Sequence, residues 1–170
     1  LCSEEKGLFA TLDALVLANR HARFHLTIAG DFATARERRR FAAMARSLGD
    51  AVRPVGFVAS EAKQALLQQS QALVFPTHYP HEAQSLVVLE ALAHDLPVLA
   101  SRWRALPESL PADYPHLLPD TRPETIAAHL LALAQQPPPA GALRHHFLTH
   151  FTDQLFLLRF VAALASLDHP

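Results

Sequence analysis

The sequence predicts a single α/β domain over residues 1–170, built as a doubly wound, Rossmann-like parallel sheet. Short apolar runs alternate with segments of helical periodicity, the pattern of parallel βα units. One such run, residues 97–100, is apolar throughout, as suits a strand covered on both faces. Half of the 170 residues are hydrophobic, enough for one substantial core.

The first helix covers about residues 8–18 and sets Leu8, Leu12, Leu15 and Val16 on one face. Residues 24–29 read as a strand closed by Gly30 and Asp31. In the second helix Phe41, Met44, Ala45 and Leu48 recur at helical spacing, and Gly49 stops it. Residues 55–58 form the next strand, Ser60 caps a helix to about Gln69, and residues 72–75 form a third strand. Pro76 ends that strand because proline cannot donate to a sheet ladder. A loop over residues 77–84 leads to Ser85, a good N-cap, and to a helix over residues 86–93. Beyond residue 100 the pattern weakens. Residues 107–119 hold four of the 13 prolines and should wander over the surface, with residues 116–118 as a candidate edge strand. A helix with Ile126, Leu130 and Leu133 on one face is opened by Asp120, Thr121 and Pro123, and residues 137–139 are a stiff proline break. The last helix, about residues 153–167, is apolar over a wide face. The helices from about residue 141 are expected to dock on a part of the protein outside this chain.

Fifteen basic and 16 acidic residues leave the charge near zero, against a nucleic-acid footprint, which needs a basic excess. The single cysteine, Cys2, fits a reducing, cytoplasmic compartment. No apolar run reaches the roughly 20 residues of a membrane span, and no signal peptide is evident. The start at Leu1, without methionine and almost on the first helix, reads as a cut through a larger protein. Among the 11 histidines, His145, His146 and His150 have helical spacing, but no acidic or cysteine partner completes a zinc set. Neither a G-x-S-x-G elbow nor a G-x-G-x-x-G turn is present, which disfavours a serine hydrolase and a dinucleotide oxidoreductase.

Ligands of doubly wound sheets sit outside the carboxyl ends of the strands, where the loop with His78, His81 and Glu82 falls. Ser85, Leu86 and Val87 would offer free backbone N–H groups at a helix start, an anion site by geometry. Glu90 lies about one and a half turns further on, roughly 7 Å along the axis. It is the one polar residue among the leucines, valines and alanines of residues 86–93. A carboxylate on such a helix needs a polar partner to offset its desolvation. Phosphates at the helix start, with ribose hydroxyls on Glu90 and a second sugar on Glu82, would fit a nucleotide sugar. Taken singly, each glutamate is more simply an exposed surface residue; the strand-loop-helix context favours function. His78 and His81 flank the site. The arginine run Arg36, Arg38, Arg39 and Arg40 reads as a solvated face, with contact to anionic lipid headgroups as the alternative. Lys63 is given no role.

Residues 73–100, from Leu-Val-Phe-Pro-Thr-His-Tyr-Pro-His-Glu82 through Glu90 to Pro-Val-Leu-Ala100, resemble the donor-site signature of GT-B retaining glycosyltransferases of family 4, whose two glutamates form an E-x7-E motif. Lys6-Gly7, Leu26 to Asp31, Val55 to Val58 and Leu106-Pro-Glu108 resemble further family segments in order, so the likeness runs from Lys6 to about Phe151. It implies the C-terminal, nucleotide-sugar-binding half of a metal-independent hexosyltransferase with no cofactor besides a UDP- or GDP-linked donor. Carried over by position, Glu82 contacts the transferred sugar and Glu90 the ribose. Lys6 and the amides of Ser85, Leu86 and Val87 contact phosphate, the loop at Val58 lines the base pocket, and Gly30 joins the donor-binding set. The acceptor (a sugar, polysaccharide or lipid-linked glycan) and a catalytic histidine belong to an N-terminal domain outside this chain. A lipid-linked acceptor would put the protein at the inner face of the membrane. Ala83 and Ser85 replace the family's glycines, and Trp103-Arg104 replaces a glycine-rich turn. A non-catalytic sugar-nucleotide scaffold and a GT-B epimerase are the alternatives.

Overall fold

The computed structural model describes residues 2–167. Its helices are α1 (Leu8–Ala18), α2 (Ala35–Leu48), α3 (Ser60–Gln69), α4 (Leu86–Ala93), α5 (Pro123–Gln135), α6 (Ala142–His150) and α7 (Asp153–Leu167). The strands are β1 (Leu26–Ala29), β2 (Val52–Gly56), β3 (Leu73–Phe75), β4 (Val98–Ser101) and β5 (Leu117–Leu118). Every strand pairing is parallel.

The winding is clearest at β4, whose alternate residues enter different cores. Val98 and Ala100 pack with Leu73 and Phe75 of β3, with Val88, Ala91 and Leu92 of α4, and with Leu143 of α6. Leu99 packs on the opposite face with Leu118, with Ala14 and Ala18 of α1, and with Ile126, Ala127, Leu130 and Leu133 of α5. Helices therefore cover both faces of a parallel sheet, as the sequence predicts. A third cluster joins α1 and α2 to β1 and β2 around Phe9, Leu12, Ile28, Phe41 and Val52. Ladder pairing is interrupted between the halves, giving one sheet of β1-β2 and another of β3-β4-β5.

Two local expectations are corrected. The second strand is Val52–Gly56, not residues 55–58, and it includes Pro54 opposite Ile28. Among the described residues β2 pairs only with β1, and an edge strand tolerates proline. Ser60 does not cap α3: Ala59 holds the N-cap position, and Ser60 is the first helical residue, at φ 48. At α5 the N-cap is Arg122 with Pro123 inside the first turn. There Asp120 accepts from the Arg122 backbone N–H at 3.0 Å, and its bonds to the Arg122 side chain help hold its carboxyl at a pKa of about 2.

Asp95, at φ 58, caps α6 from outside that helix. Its carboxylate accepts from the backbone N–H groups of Gly141 at 2.5 Å and of Leu143 and Arg144 at 3.1 Å. Asp95 follows α4 closely, so this cap ties α6 to α4. Beyond it, α7 leaves a wide apolar face open, with Phe156 at 66% and Leu158 at 68% exposure. Taken together, Ala142–Ser166 is long and apolar enough to cross a membrane by length and composition, with mean hydropathy 1.2 over its 18-residue window. The helical chain breaks at Phe151 and Thr152 between α6 and α7, and Arg144 and Arg159 interrupt the apolar pattern.

His116 is buried just before β5, with Tyr114 and His129 ring centroids 5.7 and 6.4 Å away. Its Nε2 has no hydrogen-bond partner among the described residues. Burial pushes its pKa below the ordinary 6.5, so the fold favours neutral imidazole. His146 is pushed the same way by burial and by His150. Because the unfolded chain takes up these protons first, their contribution is complete above the ordinary value and is lost as pH falls below it. Denaturant melts should show lower stability at about pH 5.5 than at about pH 8, with His116→Phe flattening the difference; equal slopes in both proteins would contradict this.

Candidate functional site

The segment ahead of α1 is stitched to the carboxyl edge of the sheet. The backbone N–H of Cys2 donates to Asp31 O at 2.7 Å, and Cys2 bridges Phe32 in parallel. Glu37, in the first turn of α2, accepts from the Glu4 N–H at 3.0 Å. His78 N–H donates to Glu5 O at 2.7 Å, joining this segment to the loop after β3. Gly7 then opens α1 at φ 80, and a Cβ there would collide with the Pro76 carbonyl and ring. Glycine is required by both angle and space. The result is that Lys6 stands beside the β3–α4 loop, 76 residues away in sequence from Glu82.

Lys6 Nζ lies 2.5 Å from Glu82 Oε2, with side-chain exposures of 24% and 9%. The ammonium sits over the Tyr79 ring at 4.5 Å and the Phe75 ring at 5.5 Å. Thr77, fully buried, places its hydroxyl 3.3 Å from both Glu82 Oε2 and Glu5 O, and accepts from the Tyr79 N–H at 3.1 Å. The Ser101 hydroxyl donates to Thr77 O, and Trp103 Nε1 donates to Tyr79 O at 2.8 Å. Glu82 is thus held by a braced loop. Its Oε1 has no protein partner among the described residues.

Ser85 holds the N-cap position of α4, buried and with an extended backbone, but its side chain makes no cap bond. The Leu86 and Val87 amides have no acceptor among the described residues, while Ser85 O takes Val88 N and Leu89 N. Leu86 is 71% exposed beside these amides. Open N–H groups at the positive end of a helix favour an anion.

Glu90 finds the partner its apolar helix demands. Lys63 Nζ lies 2.5 Å from Glu90 Oε1, with both side chains about one-third exposed, 36% and 35%. Sequence reading missed Lys63, although its spacing from Leu67 held a signal. These two are four apart on α3, and Leu67 is buried in the α4 core, so Lys63 shares the face turned to α4. Gly30, at φ 133, ends β1 and donates its N–H to Gly56 O at 2.7 Å; Val58 is half-buried in the loop after β2. The structure directly joins Lys6 to Glu82. Glu90 joins Lys63 instead, while Gly30 and Val58, following β1 and β2, make no hydrogen bond to either pair among the described residues.

Other candidates resolve locally. His78 and His81 are exposed, and the His81 ring stands edge-on to Tyr79 at 5.5 Å. Arg40 pairs with Glu4 at 3.2 Å and covers Phe9, and Arg38 lies over Phe32. His146 and His150 place their ring centroids 4.4 Å apart, and no group of three His, Cys, Asp or Glu with metal-binding geometry occurs among the described residues. Arg104 takes φ 51, the left-handed conformation that a glycine would supply at that turn. A concavity of about 490 Å³ lies among residues 19–25, 48, 50 and 51 at the opposite edge of the sheet, away from both glutamates.

The site thus combines a doubly wound sheet, an open helix start and two lysine-paired carboxylates. The chain belongs to the glycosyl transferases group 1 family, whose model matches residues 1–136. No curated protein matches the chain. It is similar in structure to Anabaena HepE, solved in complex with UDP, at TM-score 0.82 and 18% identity over 97% of this chain and 46% of that one. Sucrose-phosphate synthase from Thermosynechococcus elongatus aligns at TM-score 0.73 and 23% identity, covering 97% and 43%. The C-terminal domain of the Francisella tularensis glycosyl transferase group 1 family protein LpcC aligns at TM-score 0.63 and 20% identity, covering 85% and 75%. The fold is therefore the Rossmann-like GT-B kind, and the chain spans less than half the length of HepE and of the synthase.

Proposed function

We propose that this chain is the donor-binding half of a retaining, metal-independent glycosyltransferase of family 4, which moves a hexosyl group from a UDP- or GDP-sugar to an acceptor held by the rest of the protein. The observation that carries this reading is the α4 start, whose open amides follow Glu82, paired with Lys6, and precede Glu90, paired with Lys63, in the chain. HepE in complex with UDP and with UDP-glucose supports a sugar nucleotide as ligand.

On this reading the diphosphate lies at Ser85, Leu86 and Val87. Lys6 uses one of its three N–H groups on Glu82 and has two left for a phosphate oxygen. Amides and ammonium together stabilise negative charge on the departing diphosphate, the electrostatic effect that dominates such transfers. This positive charge is what a metal-independent, cofactor-free reaction needs. Glu82 Oε1 accepts from hydroxyls of the sugar, and Glu90 accepts from the ribose. Val58 and Gly30 border the base. The apolar face of α7 buries against the remainder of the protein, and the whole works in the cytoplasm. If the acceptor is lipid-linked, the protein sits at the inner membrane face, with Arg36 and Arg39 available to headgroups.

Calorimetric titration of Glu82→Gln and Glu90→Gln with UDP and UDP-glucose separates the roles. Glu90→Gln should weaken both ligands by about tenfold, and Glu82→Gln should weaken only the sugar nucleotide. Negligible change in both variants would return the glutamates to ordinary surface residues.

A further inference from the structure

We infer that Lys63 is a positioning residue for the ribose end of the donor, acting through Glu90; this rests on the donor-site reading above. The observation is the 2.5 Å contact between Lys63 Nζ and Glu90 Oε1, made between two helices and across 27 residues of sequence. The contact is built in, because Leu67, one turn beyond Lys63, is buried against Val88, Ala91 and Leu92 of α4. That packing fixes which face of α3 looks at α4. The connection to α3 is bounded by two left-handed residues, Gly56 at the end of β2 at φ 70 and Ser60 at the start of α3 at φ 48. Ser60 lacks glycine's freedom and holds this angle at a steric cost, so the path from β2 to Lys63 is tightly set.

Two consequences follow for the carboxylate. Glu90 is about one-third exposed and would otherwise sample several rotamers. Anchoring Oε1 leaves Oε2 and the second lone pair of Oε1 as a fixed pair of acceptors, the arrangement that vicinal hydroxyls require. Charge balance is the second. Two carboxylates beside a diphosphate would repel it, and here each is matched by one lysine, Glu82 by Lys6 and Glu90 by Lys63. Lys63 thereby lets Glu90 sit near the diphosphate and still act as a hydroxyl acceptor. Its effect belongs to the ribose hydroxyls and not to the nucleotide as a whole.

The test compares UDP with 2′,3′-dideoxy-UDP by calorimetry in wild type, Lys63→Met, Lys63→Arg and Glu90→Gln, each checked for a wild-type circular dichroism spectrum. Wild type should prefer UDP by about tenfold, a preference of the size hydrogen bonds to a charged group supply. Lys63→Met should lose most of that preference, as Glu90→Gln does, while Lys63→Arg keeps most of it. An unchanged UDP preference in Lys63→Met overturns the inference, and so does an equal loss of affinity for both nucleotides, the mark of a purely structural or long-range charge effect. Should Glu90→Gln itself retain the full preference, the ribose assignment of Glu90 fails and the role of Lys63 falls with it.

Discussion

Lys6→Met is expected to abolish measurable UDP binding and to lower stability by about 2–3 kcal/mol, below the range for a fully buried pair because Lys6 is partly solvated. Methionine keeps the length of the side chain but removes the charge, leaving the Glu82 carboxylate, 9% exposed, with the Thr77 hydroxyl as its remaining side-chain partner among the described residues. The ammonium's contacts with Tyr79 and Phe75 go at the same time. The double variant Lys6→Met with Glu82→Gln should recover most of the stability, since a neutral amide no longer needs the cation, yet should not recover binding. Thermal melts and calorimetry on the three proteins check this. A single variant that melts like wild type would show that the pair carries no net stability.

Gly7→Val is expected to cost more, about 3 kcal/mol or above, from a left-handed backbone angle combined with overpacking. For a domain of this size that lowers the melting temperature by roughly 6–12 °C. The cause is local: a side chain at φ 80 would drive into the Pro76 carbonyl and ring. Gly141 is the control. It has φ 81 with nothing within 4 Å of an added Cβ, so Gly141→Ala should show only the angular cost, about 1–2 kcal/mol. If the two variants lose equal stability, close approach to Pro76 is not what requires glycine. Because Gly7 follows Lys6 directly, its loss should also displace the ammonium from Glu82.

The sequence made the α4 half of the site legible because local rules govern it. Ser85, the apolar run after it and the solitary Glu90 define a helix, its start and its need for a polar partner, and the structure has α4 at Leu86–Ala93. The periodicity of α1, α5 and α7 is equally local. What could not be read is who meets whom across the chain. Lys6 reaches Glu82 through the Cys2–Asp31, Glu4–Glu37 and Glu5–His78 bonds, none of which leaves a sequence pattern. Lys63 was within reach of helical periodicity through Leu67, but its partner depends on how α3 lies on α4. The second strand begins at Val52 and runs through Pro54, which an edge position tolerates, and that position is set by its pairing with β1 and not by local pattern. Residue type alone suggests Ser60 as a cap, whereas Ala59 holds the N-cap position and Ser60 is the first residue of α3.

The central claim is that the carboxyl edge around α4 takes a nucleoside diphosphate. Titrating the chain with UDP and with GDP, followed by backbone amide NMR shifts, tests it directly. Saturable binding of at least one of them is expected, with the largest shifts at Lys6, at Leu86 and Val87, and at Glu90. A folded chain that binds neither nucleotide, or binds one with its shifts confined to residues 19–25 at the opposite edge, would contradict it.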